Sequence, residues 1–247
     1  MADERRGRRQ TWWPEDAAER WRGDEARGGC AVIVRPRVED YALRHTTPEP
    51  PCLAAVAAET REVSAEPYMM VGPLEGRLLA MLVHMLRPAL VLEVGTFTGY
   101  SALAMAGALP PHGRLITCEI DPRHAEIARR HVAASPWAGR VEVRLGPALD
   151  TIAALPGPVD LAFVDAHKTA YAEYYEALLP RLAETGVLAF DNTLHLGQVI
   201  AEDPPDEEIA AIRAFNALVR DDPRVEQVVL TVRQGLTLIR HAPQRPS

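Results

Sequence analysis

Residues 90–101, LVLEVGTFTGYS, constrain what this chain can fold into more than any other stretch. Leu90-Val91-Leu92-Glu93-Val94 is a short apolar run with β-branched residues, the composition of a strand buried in a parallel sheet. Gly95 and Gly99 bracket a turn, and Ser101-Ala-Leu-Ala-Met-Ala then reads as a helix entered through a polar residue. A strand, a glycine turn and a helix N-terminus together make a nucleotide-type pocket. The glycines are spaced G-x-x-x-G, so the G-x-G-x-x-G dinucleotide fingerprint is absent, and no G-K-[ST] follows to form a P-loop. Glu93, at the mouth of the strand, repels a pyrophosphate and suits a cation such as the ammonium group of an amino acid.

Around this unit, strands and helices alternate, which predicts an α/β fold with a doubly wound, mostly parallel sheet. Helices are expected over 49–61 and 72–86, the second with a core stripe of Leu74, Leu78, Leu79, Leu82 and Leu86. The strand at 90–95 and the helix at 98–108 are followed by a strand at 114–119 and a helix at 122–134, with Pro122 near its start. Further strands are expected at 141–145, 160–165 and 186–191. The helices between and after them are a short one behind Gly146-Pro147, one over about 169–183 and one over 205–221. Residues 225–232 and 236–240 face each other across Arg233-Gln234-Gly235, which predicts a closing hairpin and an antiparallel last strand.

Residues 1–37 are a different kind of sequence, mixing charges of both signs with Trp12, Trp13 and Trp21 and little periodicity. They read as an extension, either poorly ordered or docked through its tryptophans on the body or on a second subunit. Residues 38–247 read as one domain. A net charge of -7 argues against nucleic acid as a partner. Cys30, Cys52 and Cys118 are too widely spaced for a disulfide framework or a zinc pair, which points to a reducing cytoplasm. No apolar run of about 18 residues and no signal-peptide core are evident, so no membrane partner is expected.

Four acidic residues stand at the carboxyl ends of predicted strands, where open α/β sheets bind ligands: Glu93, Glu119, Asp165 and Asp191. A single one reads equally as a helix cap. Glu119 ends the strand after Gly95, near the roughly 20-residue offset at which an acid accepts both ribose hydroxyls. The pocket therefore suits an adenosine whose other end is not a pyrophosphate, and S-adenosylmethionine, with its ammonium and sulfonium charges, fits. Asp165, Asp191 and Asn192 supply two carboxylates and an amide oxygen, hard ligands that suit Mg2+ or Ca2+; Asp191-Asn192-Thr193 also reads as turn chemistry. Lys168 lies three residues after Asp165. Beside a divalent cation and a sulfonium its pKa is expected to fall, which suits a base.

LEVGTFTGYS, CEIDP, the GPA at 146–148, FVDAHKTAY and FDNTL, with DPRV at 222–225 and the later QGLTL, resemble the cation-dependent O-methyltransferases related to caffeoyl-CoA and catechol O-methyltransferases. The resemblance runs from about Val38 to Arg240. It implies a seven-stranded, Rossmann-like methyltransferase sheet with a reversed last strand. It also implies Glu93, Gly95 and Ser101 around the methionine part of S-adenosylmethionine, Glu119 at the ribose, Ala148 at the adenine, and Thr96 among the cofactor-binding residues. Val71 and Asp165 further line the cofactor. Asp165, Asp191 and Asn192 match the ligands of Mg2+ or another divalent cation such as Ca2+ or Mn2+, and Lys168 matches the lysine near the substrate hydroxyl. The implied substrate is a catechol-like phenolic small molecule, and the implied assembly a homodimer.

Three positions depart from the family pattern: His167 where relatives often carry a second aspartate, His195 where they often carry a tryptophan, and Gln234 where plant members carry an aspartate. A metal-independent methyltransferase of the same fold and a non-catalytic S-adenosylmethionine-binding protein remain as alternatives.

Overall fold

The computed structural model describes residues 33–202 and 206–243. The expectation for Trp12, Trp13 and Trp21 falls outside the described residues. The first elements are three helices, α1 (Pro36–Arg44), α2 (Pro51–Val63) and α3 (Gly72–Leu86). Strand β1 (Leu90–Val94), helix α4 (Tyr100–Ala106), β2 (Arg114–Glu119), α5 (Pro122–Ala134), β3 (Val141–Leu145), α6 (Ala148–Ala153) and β4 (Val159–Val164) follow. The chain continues through α7 (Tyr171–Leu178), β5 (Leu182–Phe190), α8 (Glu207–Asp221), β6 (Val225–Leu230) and β7 (Leu236–His241).

The strands form one seven-stranded sheet in the order β3-β2-β1-β4-β5-β7-β6. β3, β2, β1, β4 and β5 run parallel, and β7 is antiparallel to both β5 and β6. The order reverses direction between β1 and β4, so the topological switch point lies beside Glu93 and Asp165. Successive residues of the central strands point to opposite faces, and both faces are covered. Val91, Leu115, Leu161 and Phe163 pack with α2, α3 and α4, whereas Leu90, Leu92, Val94, Ala162 and Val164 pack with α6, α7 and α8. On the second face Tyr171, Phe190 and Phe215 pack edge-on or tilted, with ring centroids 4.6–5.5 Å apart.

Some element bounds differ from the expectations for physical reasons. The helix expected from 98 starts at Tyr100 because Gly99, its N-cap, is left-handed at φ 95°. The helix expected over 169–183 is α7 flanked by 3-10 turns at Lys168–Ala170 and Leu179–Arg181; Pro180, in the second turn, has no N–H to carry the α-helix further. β5 begins at Leu182, before its polar Glu184-Thr185, and its register against β4 shifts between Val159 and Leu161. The 20-residue stretch Pro67–Leu86 is long and apolar enough, by composition, to cross a membrane. It nevertheless comprises a 3-10 turn and α3, and α3 packs Leu79, Leu82 and Val83 into the core.

Candidate active site

The ends of the parallel strands are laced together by backbone hydrogen bonds that continue the sheet by one residue. Gly95 N donates to Cys118 O (3.0 Å), Gly146 N to Glu119 O (2.8 Å), Asp165 N to Val94 O (2.8 Å) and Asp191 N to Val164 O (3.0 Å). The four strand-end acids are thereby held along one edge. Gly95 has to be glycine: its φ is 99°, and a Cβ there would lie 2.0 Å from the Asp165 carbonyl oxygen.

On the β1–β2 side, Glu93 is fully buried and faces α4. Thr117 Oγ1 donates to Glu93 Oε2 (2.5 Å), and Thr96 Oγ1 pairs with Thr117 Oγ1 (2.5 Å). Glu93 Oε1 is buried without a hydrogen-bond partner among the described residues. Burial pushes the Glu93 carboxyl up to about 8, although the nearby Ser101 and Thr117 hydroxyls pull it down. This is a half-satisfied acid suited to an ammonium donor. Glu119 Oε2 accepts Phe97 N (2.7 Å), and Oε1 accepts Ile120 N and Asp121 N (2.9 Å each). The carboxylate therefore fixes the glycine turn after β1, and one acceptor position on Oε2 remains for a ligand hydroxyl. Ala148 opens α6 and is buried, and Val71 caps α3.

On the β4–β5 side, Lys168 Nζ donates to Asp165 Oδ1 (2.6 Å) and to Tyr171 Oη (3.0 Å), and Tyr171 Oη donates to Asp191 O (2.9 Å). Burial works against the Lys168 ammonium, but the neighbouring Tyr171, Asp165 and Asp191 outweigh it and hold its pKa above the ordinary lysine value. With protein groups alone around it, Lys168 is the counter-ion of Asp165; the lowered pKa is the expectation beside a cation and a sulfonium. Asp191 is buried and accepts from Asn192 N (2.6 Å) and Asn192 Nδ2 (3.0 Å). Burial and then the Asp165 charge raise it to about 7. Among the described residues, no group of three or more His, Cys, Asp or Glu side chains is arranged to hold a metal.

Two residues beyond the expected set join this side. Glu75, on α3, is completely buried, and neither carboxylate oxygen has a hydrogen-bond partner among the described residues. Burial and the adjacent Asp191 push its pKa well up. Arg233 Nε stands 3.8 Å from Glu75 Oε2. Glu75 lies four residues before Leu79 on the apolar stripe, and an acid on such a stripe is a signal in its own right. Arg233 had no comparable signal. His167 is exposed; His195 is half-buried, at φ 39°, beside Gln234, whose carbonyl accepts its N–H (3.0 Å). A separate cleft of about 140 Å3, lined by Leu53, Gly76, Tyr100 and Trp137 among others, includes none of the strand-end acids.

A family model described as O-methyltransferase matches residues 43–242. The catechol O-methyltransferase of Niastella koreensis is 36% identical over 169 residues, 66% of this chain and 76% of that protein. The catechol O-methyltransferase of Mycobacterium tuberculosis is 35% identical, covering 74% of this chain and 83% of that one. Caffeoyl-CoA O-methyltransferase 2 of Petunia hybrida is 34% identical, with 74% and 81% covered. Among solved structures, the O-methyltransferase TomG of Streptomyces achromogenes, in complex with SAM, superposes with a TM-score of 0.75 at 32% identity, over 84% of this chain and 96% of that one. The Bacillus cereus O-methyltransferase in complex with SAH gives 0.74 at 30% identity, over 83% and 97%. The chain belongs to the S-adenosylmethionine-dependent O-methyltransferase family.

Proposed function

We propose that this enzyme transfers the methyl group of S-adenosylmethionine to one hydroxyl of a catechol-like small molecule, with a divalent cation held by Asp165, Asp191 and Asn192. The observation that carries the reading is the adjacency of Asp165, Asp191, Asn192 and Lys168 at the ends of β4 and β5, beside the buried Glu93 at the switch point. The donor chemistry fits a hard cation such as Mg2+, Ca2+ or Mn2+: two carboxylates and an amide, with negative charge that Lys168 offsets only in part. The names of the catechol and caffeoyl-CoA relatives support the acceptor class.

When bound, the cation supplies the charge that lowers the pKa of an acceptor hydroxyl. The chain's own groups do the rest. Glu93 and Ser101 receive the methionine end of the cofactor, Thr96 braces that wall through Thr117, and Glu119 takes the ribose, with Ala148 and Val71 lining the pocket. Lys168 Nζ, held by Asp165 and Tyr171, is placed to steer the departing proton. The acceptor oxygen forms its bond to the methyl carbon as the carbon–sulfur bond breaks, and that electron pair returns to sulfur. Holding the two reactants aligned accounts for up to about 7–11 kcal/mol of the barrier.

The test is a pair of variants, Asp165→Ala and Asp191→Ala. Each is expected to lower turnover about a thousandfold or more and to weaken Mn2+ binding, read by the spectrum of free Mn2+, while S-adenosylhomocysteine still binds. Full turnover in either variant contradicts the cation site.

A further inference from the structure

One three-residue turn touches both walls of the site. The β6–β7 turn, Arg233-Gln234-Gly235, accepts Thr193 N at Gly235 O (3.0 Å), and Leu194 N (2.9 Å) and His195 N (3.0 Å) at Gln234 O. It therefore fixes the segment that leaves Asp191-Asn192. From the same turn the Arg233 guanidinium crosses to the segment before α3: Nη1 donates to Met70 O (2.9 Å) and to Val71 O, and Nη2 reaches Tyr68 O (3.4 Å). A Cβ on Gly72, which has φ 70°, would come within 2.9 Å of Nη1, so the guanidinium packs closely against this backbone. Its Nε end faces the buried Glu75 carboxyl, which also adjoins Asp191, at 3.8 Å. Arg233 itself sits at φ 48°, a left-handed conformation that needs compensation from its contacts.

We propose that Arg233 is a positioning residue for the cofactor. It pins the 68–72 segment to the turn that also fixes 193–195, and so sets the spacing between the cofactor wall at Val71 and the acceptor wall at Asp191-Asn192. The carbonyls of Met70 and Val71 are the grip, and Glu75 orients the guanidinium from behind. A lysine at 233 offers a point charge without the fork that sets Nη1 on the Met70 and Val71 carbonyls and Nη2 on the Tyr68 carbonyl, so it replaces the arginine only in part. The proposal rests on the reading that the Val71 segment borders S-adenosylmethionine.

The experiment uses the full chain, with S-adenosylhomocysteine as the probe in calorimetry and S-adenosylmethionine in kinetics. Arg233→Met is expected to weaken S-adenosylhomocysteine binding about tenfold or more, the scale of a lost charge-assisted hydrogen bond. KM for S-adenosylmethionine should rise by the same factor while kcat stays within about threefold, because the lost interaction serves binding. Arg233→Lys should recover part of the affinity. Arg240→Met, which removes an exposed ion pair to Glu226 on the same hairpin, should bind as the parent does. An affinity of Arg233→Met within about twofold of the parent overturns the proposal, whatever happens to its Tm. Hydrogen exchange of the parent tells apart a failure of the underlying reading: the 68–72 amides should be slowed by S-adenosylhomocysteine, and unchanged exchange there removes Val71 from the cofactor wall.

Discussion

Glu93 sets the most direct residue-scale expectation. Its folded pKa of about 8 lies above the ordinary value of 4.5, because burial disfavours the carboxylate. The folded protein therefore keeps a proton that the unfolded chain has given up, and stability falls as pH rises from about 4.5 through about 8. Glu93→Gln should flatten that slope, measured by denaturant unfolding at several pH values; an unchanged slope means that Glu93 does not hold the proton. Binding of a ligand with an ammonium group should draw the same proton off near neutral pH. Calorimetry of S-adenosylhomocysteine in buffers of different ionisation enthalpy should then register proton release in the parent and none in Glu93→Gln. Asp165 and Asp191 are legible because each directly follows an apolar strand, and Glu93 because it is a lone acid within one. Arg233 is not, because its bonds to Met70 and Val71 span 163 and 162 residues, beyond any local pattern. Glu75 is half-legible: its place on the Leu79 stripe marks it as buried, but only the fold puts Asp191 beside it.

At the scale of elements, the β1 turn and the caps carry the predictions. Gly95→Ala drives a Cβ into the Asp165 carbonyl, 2.0 Å away, at a φ that L-residues avoid. It should cost more than about 3 kcal/mol, a fall in Tm of roughly 6 °C or more. A parent-like Tm would mean that β1 and β4 do not approach as described. Asp206 caps α8 by accepting Ile209 N (2.9 Å), so Asp206→Ala should cost about 1 kcal/mol, or roughly 2–4 °C in Tm, and leave cofactor affinity unchanged. Elements with an apolar period and a clear stop, such as α3, β2, α5 and β3, were readable to the residue. α1 is not legible as a helix because its apolar stripe, Val38, Tyr41 and Ala42, is short, set among charged residues and left largely exposed at Val38 and Tyr41. The left edge of β5 was missed for a related reason, since Glu184 and Thr185 are exposed within the strand.

The whole molecule places two kinds of chemistry side by side. Strand order puts β1 and β4 next to each other at the switch point, so the glycine turn after β1 adjoins the Asp165 end. β5 brings Asp191 and Asn192 alongside, and the antiparallel β7 carries the turn that ties both walls together. Alternation of strands and helices made the parallel sheet legible, and the closing hairpin made the reversed last strand legible. The surroundings of the strand ends were not legible, because loops there are joined by a side chain from a distant segment. The central claim is methyl transfer that depends on a divalent cation at this junction. It is tested most directly by following labelled methyl groups from S-adenosylmethionine to a panel of catechols, with Mg2+ and then with excess chelator. Mono-methylated product that disappears with the chelator and returns on adding Mg2+ is the predicted result, whereas product formed equally well in chelator contradicts the roles of Asp165, Asp191 and Asn192.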